Sequence, residues 1–391
     1  MTSWTTRKLG EIARIRRGAS PRPKGDPRYF GGDIPWLKIG DVPPGSRFVS
    51  QTEEGVTRAG RDLSVYVEPG TLLLSNSASV GRPVITEVGA CIHDGWLAID
   101  GYESELRQDF LYWCLIWSHS QFQQLAPTGT QKNLNIGLVT GFEVAVPSLE
   151  DQKRIVELLD AADELRKLRA NADRRTEAFL PALFDQMFGD PLKETSHSPS
   201  VPLGEIVDFG SGATPPKENP EFWNGMTPWV SPKDMKTKEI TDAEDHVSTA
   251  AFEKTNLQLI PKDTVLIVVR GMILAHTVPI RICRVPVAIN QDMKALLPTK
   301  QAIEPEYLRW SLQAQHAHLL NQVSTAGHGT KKLDSDKLRS VTIPLPPLHL
   351  QKRFATLVNE IGGLEAEQAS SGHRLENFFH SLLDRAFRGE L

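Results

Sequence analysis

The sequence predicts an α+β protein made of two α/β units and two long helices that pair as a coiled coil. Three observations predict it. Two stretches carry helically spaced apolar residues over a length far beyond an ordinary helix. These stretches match each other without a gap at an offset of 199 positions. The segment ahead of each one repeats as well, in the same order.

The first long stretch is Leu149–Phe188. Its apolar residues Ile155, Leu158, Leu159, Ala162, Leu165, Leu168, Ala172, Phe179, Leu183 and Met187 step by three and four. A stripe that narrow suits a helix–helix seam. Some thirty residues at ~1.5 Å each give a rod of roughly 45 Å, which needs a second helix to cover its stripe. The stretch 349–389 supplies one. There Gln152-Lys153-Arg154 becomes Gln351-Lys352-Arg353, and Leu183, Asp185 and Phe188 become Leu382, Asp384 and Phe387. Its stripe runs through Phe354, Leu357, Val358, Ile361 and Leu364, then Leu375, Phe378 and Leu382. Gly362-Gly363 and Ser370-Ser371-Gly372 interrupt it. An interior glycine costs about 1 kcal/mol relative to alanine, so this helix depends on lateral packing.

The repeat extends into the units ahead of the rods. Leu9-Gly10-Glu11-Ile12 recurs as Leu203-Gly204-Glu205-Ile206, Gly18-Ala19-Ser20-Pro21 as Gly212-Ala213-Thr214-Pro215, and Pro35-Trp36 as Pro228-Trp229. Thr71–Ser75 and Val265–Val269 read as short buried strands. Residues 110–124 and 306–323 read as one helix each, packed on the sheet. The Gly- and Pro-rich segments 18–35 and 210–228 read as loops, and Ser196–Val201 as the linker between the copies. Pro147-Ser148 and Pro344–Pro347 lead into the rods. The expected division is a unit over 1–147, a rod over 148–190, a second unit over 191–346 and a second rod over 347–391.

Composition excludes several classes. Hydrophobic residues make up 40% and charged residues 24%, as in an ordinary water-soluble protein. The longest apolar run is too short to span a bilayer, and no signal peptide is visible at the N-terminus. Cys91, Cys114 and Cys283 form no close pair, which argues against a disulfide framework or a zinc site and fits a reducing, cytoplasmic location. A net charge of −4 leaves no blanket attraction to nucleic acid. Charge is uneven, however: residues 1–60 hold eleven Lys/Arg against six Asp/Glu, whereas 148–190 hold seven against ten.

No catalytic residues emerge. Asp208-Phe209-Gly210-Ser211-Gly212 superficially resembles a methyltransferase cofactor loop, but Pro215-Pro216 follow where a helix should begin. No phosphate loop, amino-methylation motif or His-Glu-x-x-His pair occurs. His316 and His318, two apart, share no helix face and read as solvated surface.

Binding residues are more evident. Arg16, Arg17, Arg22, Lys24, Arg28 and Lys38 crowd the first unit, and Lys217, Lys233, Lys236 and Lys238 the matching region of the second. Arginine forks and lysine charges in loops suit phosphates and guanine edges. Arg82 and His93 in the first copy, and Arg270, His276, Asn290 and Gln291 in the second, follow the buried strand and are candidate base readers. Lys132-Asn133 and Lys331-Lys332 recur ahead of the rods and suit a sequence-independent phosphate grip. Trp36 and Trp229 recur in one place and are expected in the core rather than stacked on bases. The frame repeats while the loop residues differ (Arg16-Arg17 against Gly210-Ser211, Asn76-Ser77 against Val269-Arg270), as reading two different half-sites would require.

The paired Leu-Gly-Glu-Ile…Gly-x-Ser/Thr-Pro…Pro-Trp units, the Pro-x-Leu-x-x-Gln-Lys-Arg entries and the rod ends Leu-Phe-Asp-Gln-Met-Phe-Gly-Asp and Leu-Leu-Asp-Arg-Ala-Phe-Arg-Gly-Glu-Leu together resemble the specificity subunit of type I restriction–modification enzymes, over essentially the whole chain. The resemblance implies two α/β target-recognition domains in a pseudo-two-fold arrangement, separated by two antiparallel helices. It implies a non-catalytic subunit of an adenine methyltransferase/endonuclease, with each domain reading half of a bipartite site in double-stranded DNA. The helices would set the gap and dock two methylation subunits, and restriction (motor-nuclease) subunits would join. This chain would hold no cofactor; S-adenosylmethionine, ATP and magnesium would belong to the partners. The alternatives are a self-contained DNA-modifying enzyme and a coiled-coil scaffold whose units bind protein.

Overall fold

A computed structural model describes residues 4–125, 133–193, 198–299, 303–325 and 329–391. The chain divides into two compact units, one of residues 1–170 with 370–391 and one of residues 171–369. Each long helix is continuous over forty residues, Leu149–Phe188 and Leu348–Phe387, and each contributes one half to each unit.

The first unit is built on a five-stranded sheet ordered Arg14–Arg17, Trp96–Asp100, Leu72–Ser75, Pro83–Thr86, Phe48–Val49. Its neighbours pair antiparallel except the last two strands, which are parallel. The second unit repeats order and sense with Val207–Ser211, Met293–Pro298, Thr264–Val268, Ile280–Cys283 and Glu239–Ile240. The central strands, Leu72–Ser75 and Thr264–Val268, are buried at every residue. That is why they read as unbroken apolar runs rather than alternating ones. A smaller sheet joins Phe30–Leu37 with Glu54–Val56, Ala90–Ile92 and Val65–Val67 in the first unit, and Thr227–Val230 with Asp245–Val247 and Ala288–Ile289 in the second. Within segments 18–35 and 210–228, therefore, strand begins at Phe30 and at Thr227, and Val207–Ser211 carries strand past residue 210. Each unit's opening strand, Thr5–Lys8 or Ser200–Pro202, pairs with the strand that leads into a long helix. Ser200 and Val201 are thus strand rather than linker, and residues 196 and 197 of the expected linker lie outside the described residues.

The repeated motifs turn out to be packing devices. Leu9, Ile12, Leu203 and Ile206 are buried one-turn helices. A Cβ on Gly18 would sit 2.1 Å from the His93 carbonyl oxygen, and one on Gly212 would sit 2.0 Å from that of Asn290. Only glycine lets the backbones cross this closely at the same place in both units. Trp36 and Trp229 are core residues. Both helices expected over 110–124 and 306–323 break once, at Ser118 and at Gln315. Ser118 Oγ donates to the Cys114 carbonyl and Gln315 Nε2 to that of Ser311, side-chain bonds that compete with the helix ladder. The residues that follow are not solvated surface: His316 Nε2 accepts the Val278 N–H at 3.0 Å, and His318 pairs with Gln322.

The seam of the long helices differs from the expected stripe. In the first unit the helices run antiparallel, since Arg166 meets Glu376 while Arg169 lies beside Gly372. The buried face comprises Ile155, Val156, Leu159 and Ala162 with Phe379, Leu383, Ala386 and Phe387. In the second unit it comprises Leu180, Phe184 and Phe188 with Phe354 and Val358. Leu158, Leu165, Leu168, Phe179, Leu364 and Phe378 are exposed, and Leu357, Ile361, Leu375, Leu382 and Leu183 are half-buried. Each helix carries two apolar stripes roughly a quarter turn apart; the expected stripe ran them together, and of its residues Ile155, Leu159, Ala162, Phe354 and Val358 belong to the buried one. The second helix stays continuous through its glycines; a Cβ on Gly362 or Gly363 would meet nothing within 4 Å. Pro181 likewise lies inside the first helix without ending it.

At the foot of each long helix stands a fully buried glutamine. Gln152 accepts the Arg107 N–H at 2.8 Å and donates to the carbonyls of Glu105 and Pro147. Gln351 accepts the Glu304 N–H at 2.9 Å and donates to the carbonyl of Pro346. Truncation strands several buried backbone groups at once, each costing about 1–3 kcal/mol. Gln152→Ala should therefore lower the unfolding free energy by ~2–4 kcal/mol, read by urea denaturation, whereas Lys153→Ala beside it should change little.

Candidate nucleic-acid interface

In each unit three segments meet at one end of the five-stranded sheet, held by backbone hydrogen bonds in matching places. In the first unit Asn76 N–H donates to the Gly95 carbonyl and the Asn76 carbonyl accepts from Leu134 N–H, both at 2.8 Å. In the second Val269 N–H donates to Asp292 at 2.8 Å and the Val269 carbonyl accepts from Leu333 N–H at 2.9 Å. The loop after the central strand, the loop before the strand beside it and the segment ahead of a short helix thus form one platform. The frame is the same twice, but the side chains it presents are not.

On the first platform a cleft of about 500 Å³ is lined by Arg17, Ser77, His93, Asp94 and Asn133. A neighbouring cleft of about 730 Å³ is lined by Arg22, Lys24, Phe30, Trp36, Lys38 and His93. Asp94 organises this surface: its carboxylate takes Ser20 Oγ at 2.8 Å and His93 Nε2 at 2.9 Å, and its carbonyl takes Asn76 Nδ2 and Arg17 Nε. Burial pushes the His93 imidazole below its ordinary range; Asp94 opposes the shift while Arg22, Lys24 and Lys38 reinforce it. Ala78, at a φ of 55°, occupies a left-handed conformation at the rim of this platform, uncommon for a residue with a side chain. On the second platform Arg270 is exposed beside Lys331 and Lys332, Gly271 N–H donates to the Lys331 carbonyl, and Gln291 accepts the Thr214 hydroxyl.

The sequence-predicted binding residues divide into three groups. Arg17, Arg22, Lys24, His93 and Asn133 come together on the first platform, and Arg270, Gln291, Lys331 and Lys332 on the second. A second group is engaged within the protein. Arg16 lies in a strand and is bound to Asp100 at 2.8 Å; Arg28 forks onto Asp26; Lys38 binds Glu54 at 2.9 Å. Lys233 is held by Asp245 and Glu244, which push its ammonium up to about 12, and Lys238 meets Glu365. Lys332, though on the platform, is ion-paired with Asp334 at 2.6 Å. Asn290 is buried, with Oδ1 accepting the Asp292 N–H, and Arg82 Nη2 donates to the Pro43 and Ser46 carbonyls. These groups are corrections to the picture of free readers: Arg28, Lys332 and Asn290 are engaged by neighbours two positions away, and Arg16, Lys38, Lys233, Lys238 and Arg82 by partners farther away along the chain. Lys217, Lys236 and His276 are exposed away from the platform's hydrogen bonds. Lys132 lies outside the described residues. Reading from sequence passed over Ala78 and Asp94, whose small or acidic side chains carry no phosphate-binding signature.

Among the described residues no group of three His, Cys, Asp or Glu is placed to hold a metal, and no helix is long and apolar enough to cross a membrane.

If Arg270 reads a base edge, Arg270→Ala should relax one position of one half-site, leaving the other half unchanged. Sequencing of the DNA that the chain retains reads this out, with a bidentate contact worth about 1–3 kcal/mol of discrimination.

Comparison with known proteins agrees with this architecture. A solved chain from a study of complex assembly and conformational transition in a type I R-M system shares the fold with a TM-score of 0.67 at 19% identity, covering 100% of this chain and 99% of that one. The S subunit of a type I restriction–modification system from M. genitalium does so with a TM-score of 0.57 at 16% identity, over 98% and 96%. The EcoR124I/EcoR124II specificity subunit of Escherichia coli is 34% identical over 163 residues, 41% of this chain and 40% of that protein. The MjaIX specificity subunit of Methanocaldococcus jannaschii is 24% identical over 382 residues, 92% of this chain and 86% of that protein. The model of the type I restriction modification DNA specificity domain matches residues 1–174 and again 198–368, and the chain belongs to this family.

Proposed function

We propose that the chain is the non-catalytic DNA-addressing subunit of a type I restriction–modification complex. Each platform reads one half of a bipartite, asymmetric site in double-stranded DNA. The observation that carries this reading is the pair of platforms with one backbone frame and two different sets of exposed side chains. A duplicated scaffold with diverged loops binds two unlike half-sites by the same approach.

The long helices then serve as spacer and dock. Forty residues at ~1.5 Å each give a length of about 60 Å, against ~34 Å for a turn of duplex. Their outward stripes suit a helical partner. Leu158, Leu165 and Leu168 on one helix, and Leu364 and Phe378 on the other, are each more than 40% exposed, and heptad-spaced apolar residues left in water mark an interaction surface. Two methylation subunits seated there would bring S-adenosylmethionine and flip an adenine out of each half-site. Restriction subunits with ATP and magnesium would supply cleavage.

Co-expression with the methylation subunit, followed by single-molecule mapping of methylated adenines, should return a split motif with a fixed gap; a contiguous motif overturns the reading. Leu165→Asp should abolish co-purification of the methylation subunit while the chain keeps its melting temperature, because Leu165 is 54% exposed. Leu159→Asp should instead unfold it, since that side chain is fully buried. Binding driven by phosphates should weaken with salt at a log–log slope of about −0.9 per phosphate neutralised; a flat response would point to a protein-binding scaffold.

A further inference from the structure

One carboxylate on the first long helix fastens the recognition part of the first unit at two points. Asp160 Oδ1 accepts Arg47 Nη1 at 2.9 Å and Trp113 Nε1 at 2.7 Å. Arg47 comes from the loop just before the edge strand Phe48–Val49, and Trp113 from the helix Gln108–Trp117. The Arg47 side chain is only 15% exposed, and its guanidinium carbon lies 4.5 Å from the centre of the Tyr112 ring. A stacked, largely desolvated guanidinium facing a carboxylate has little freedom to re-aim.

The fastening continues toward the platform. Arg82 donates to the Pro43 and Ser46 carbonyls of the Arg47 loop. The Arg82 N–H donates to Ser75 Oγ at 2.9 Å, at the end of the central strand, and Asn76, next in the chain, holds the three platform segments together. A series of hydrogen bonds and two peptide links, Ser46–Arg47 and Ser75–Asn76, therefore runs from the long helix to the reading edge.

The second unit is built differently at the same places. The residue before its edge strand is Lys238, whose ammonium reaches Glu365 at 2.7 Å from a side chain 72% exposed. Such a pair contributes little rigidity. The 199-residue offset puts Asn359, exposed, where the first helix has Asp160. Trp310, the counterpart of Trp113, has a buried Nε1 without a hydrogen-bond partner among the described residues.

We propose that Arg47, Trp113 and Asp160 are positioning residues: they fix the angle of the first recognition unit on its long helix and so hold the gap between half-sites to one length. At the corresponding place the second unit has only the exposed Lys238–Glu365 pair, so its contribution to the gap does not rest on such a clamp. This rests on the reading of the long helices as a spacer.

The test uses the full chain co-expressed with the methylation subunit. Methylation rates are measured on duplexes carrying the mapped motif with its gap unchanged, one base pair shorter and one longer. Arg47→Met and Asp160→Asn should lower the preference for the native gap at least tenfold while the bases required in each half-site stay the same. Arg47→Lys should restore much of it. Trp113→Phe, which keeps the ring and removes only the N–H, should shift the preference in the same sense by a smaller factor, and it serves if Arg47→Met does not fold. Lys238→Met should leave the preference unchanged. Equal slowing on all three gaps, with the ratio preserved, would overturn the clamp and leave it a matter of stability. A wild-type complex indifferent to the gap would overturn the spacer reading itself.

Discussion

The architecture hangs on a buried amide used twice. Gln152 and Gln351 each sit one turn inside a long helix, fully excluded from water. Each accepts the N–H of the residue that caps a helix of the recognition unit, Arg107 or Glu304, and donates to a proline carbonyl at the long helix's own entry. Two helix starts, each with orphan backbone groups, are thereby joined by one side chain. An amide offers both acceptor and donors at the required separation, which leucine or lysine in its place would lack. The aromatic cluster of Phe184, Phe188, Tyr307 and Phe354 then packs around the second of these joints, with centroids 4.9–5.8 Å apart.

With the helix feet fixed, the remaining faces of the long helices part company. One stripe is consumed by the core of each unit, and the other is left in solvent. This division explains how one helix with an interior proline and another with interior glycines both stay continuous over forty residues: each half is held laterally by its own unit, which replaces intrinsic propensity as the source of order. It also leaves the platforms at one end of each sheet and the exposed stripes on the long helices, so the two lie on separate elements.

Much of this was legible in the residues. The duplication, the rods, the buried central strands and the core tryptophans follow from periodicity and repetition, because those signals are local or are printed twice. The platform was legible only in outline. Arg17, Arg22, Lys24, Asn133, Arg270 and Gln291 lie where the loops converge, but Arg16, Lys38, Lys233 and Lys238 are engaged by Asp100, Glu54, Asp245 and Glu365. The partner of Arg16 is 84 positions away and that of Lys238 is 127. For these cations engagement is a property of contacts at that range, which no local pattern encodes, whereas Arg28 and Lys332 are held by Asp26 and Asp334 two positions away.

The two stripes make the same point for the helices. By itself the sequence determined that this chain would form two long amphipathic helices and two copies of one α/β frame, because apolar spacing and glycine crossings act through near neighbours. Only the tertiary structure decided which stripe would be buried. Leu158 and Leu159 are adjacent and chemically identical, yet one is 42% exposed and the other fully enclosed. The choice is set by which face meets Phe379, Leu383 and Phe387, residues some two hundred positions further on, and burial is awarded by shape and contact rather than by hydrophobicity alone.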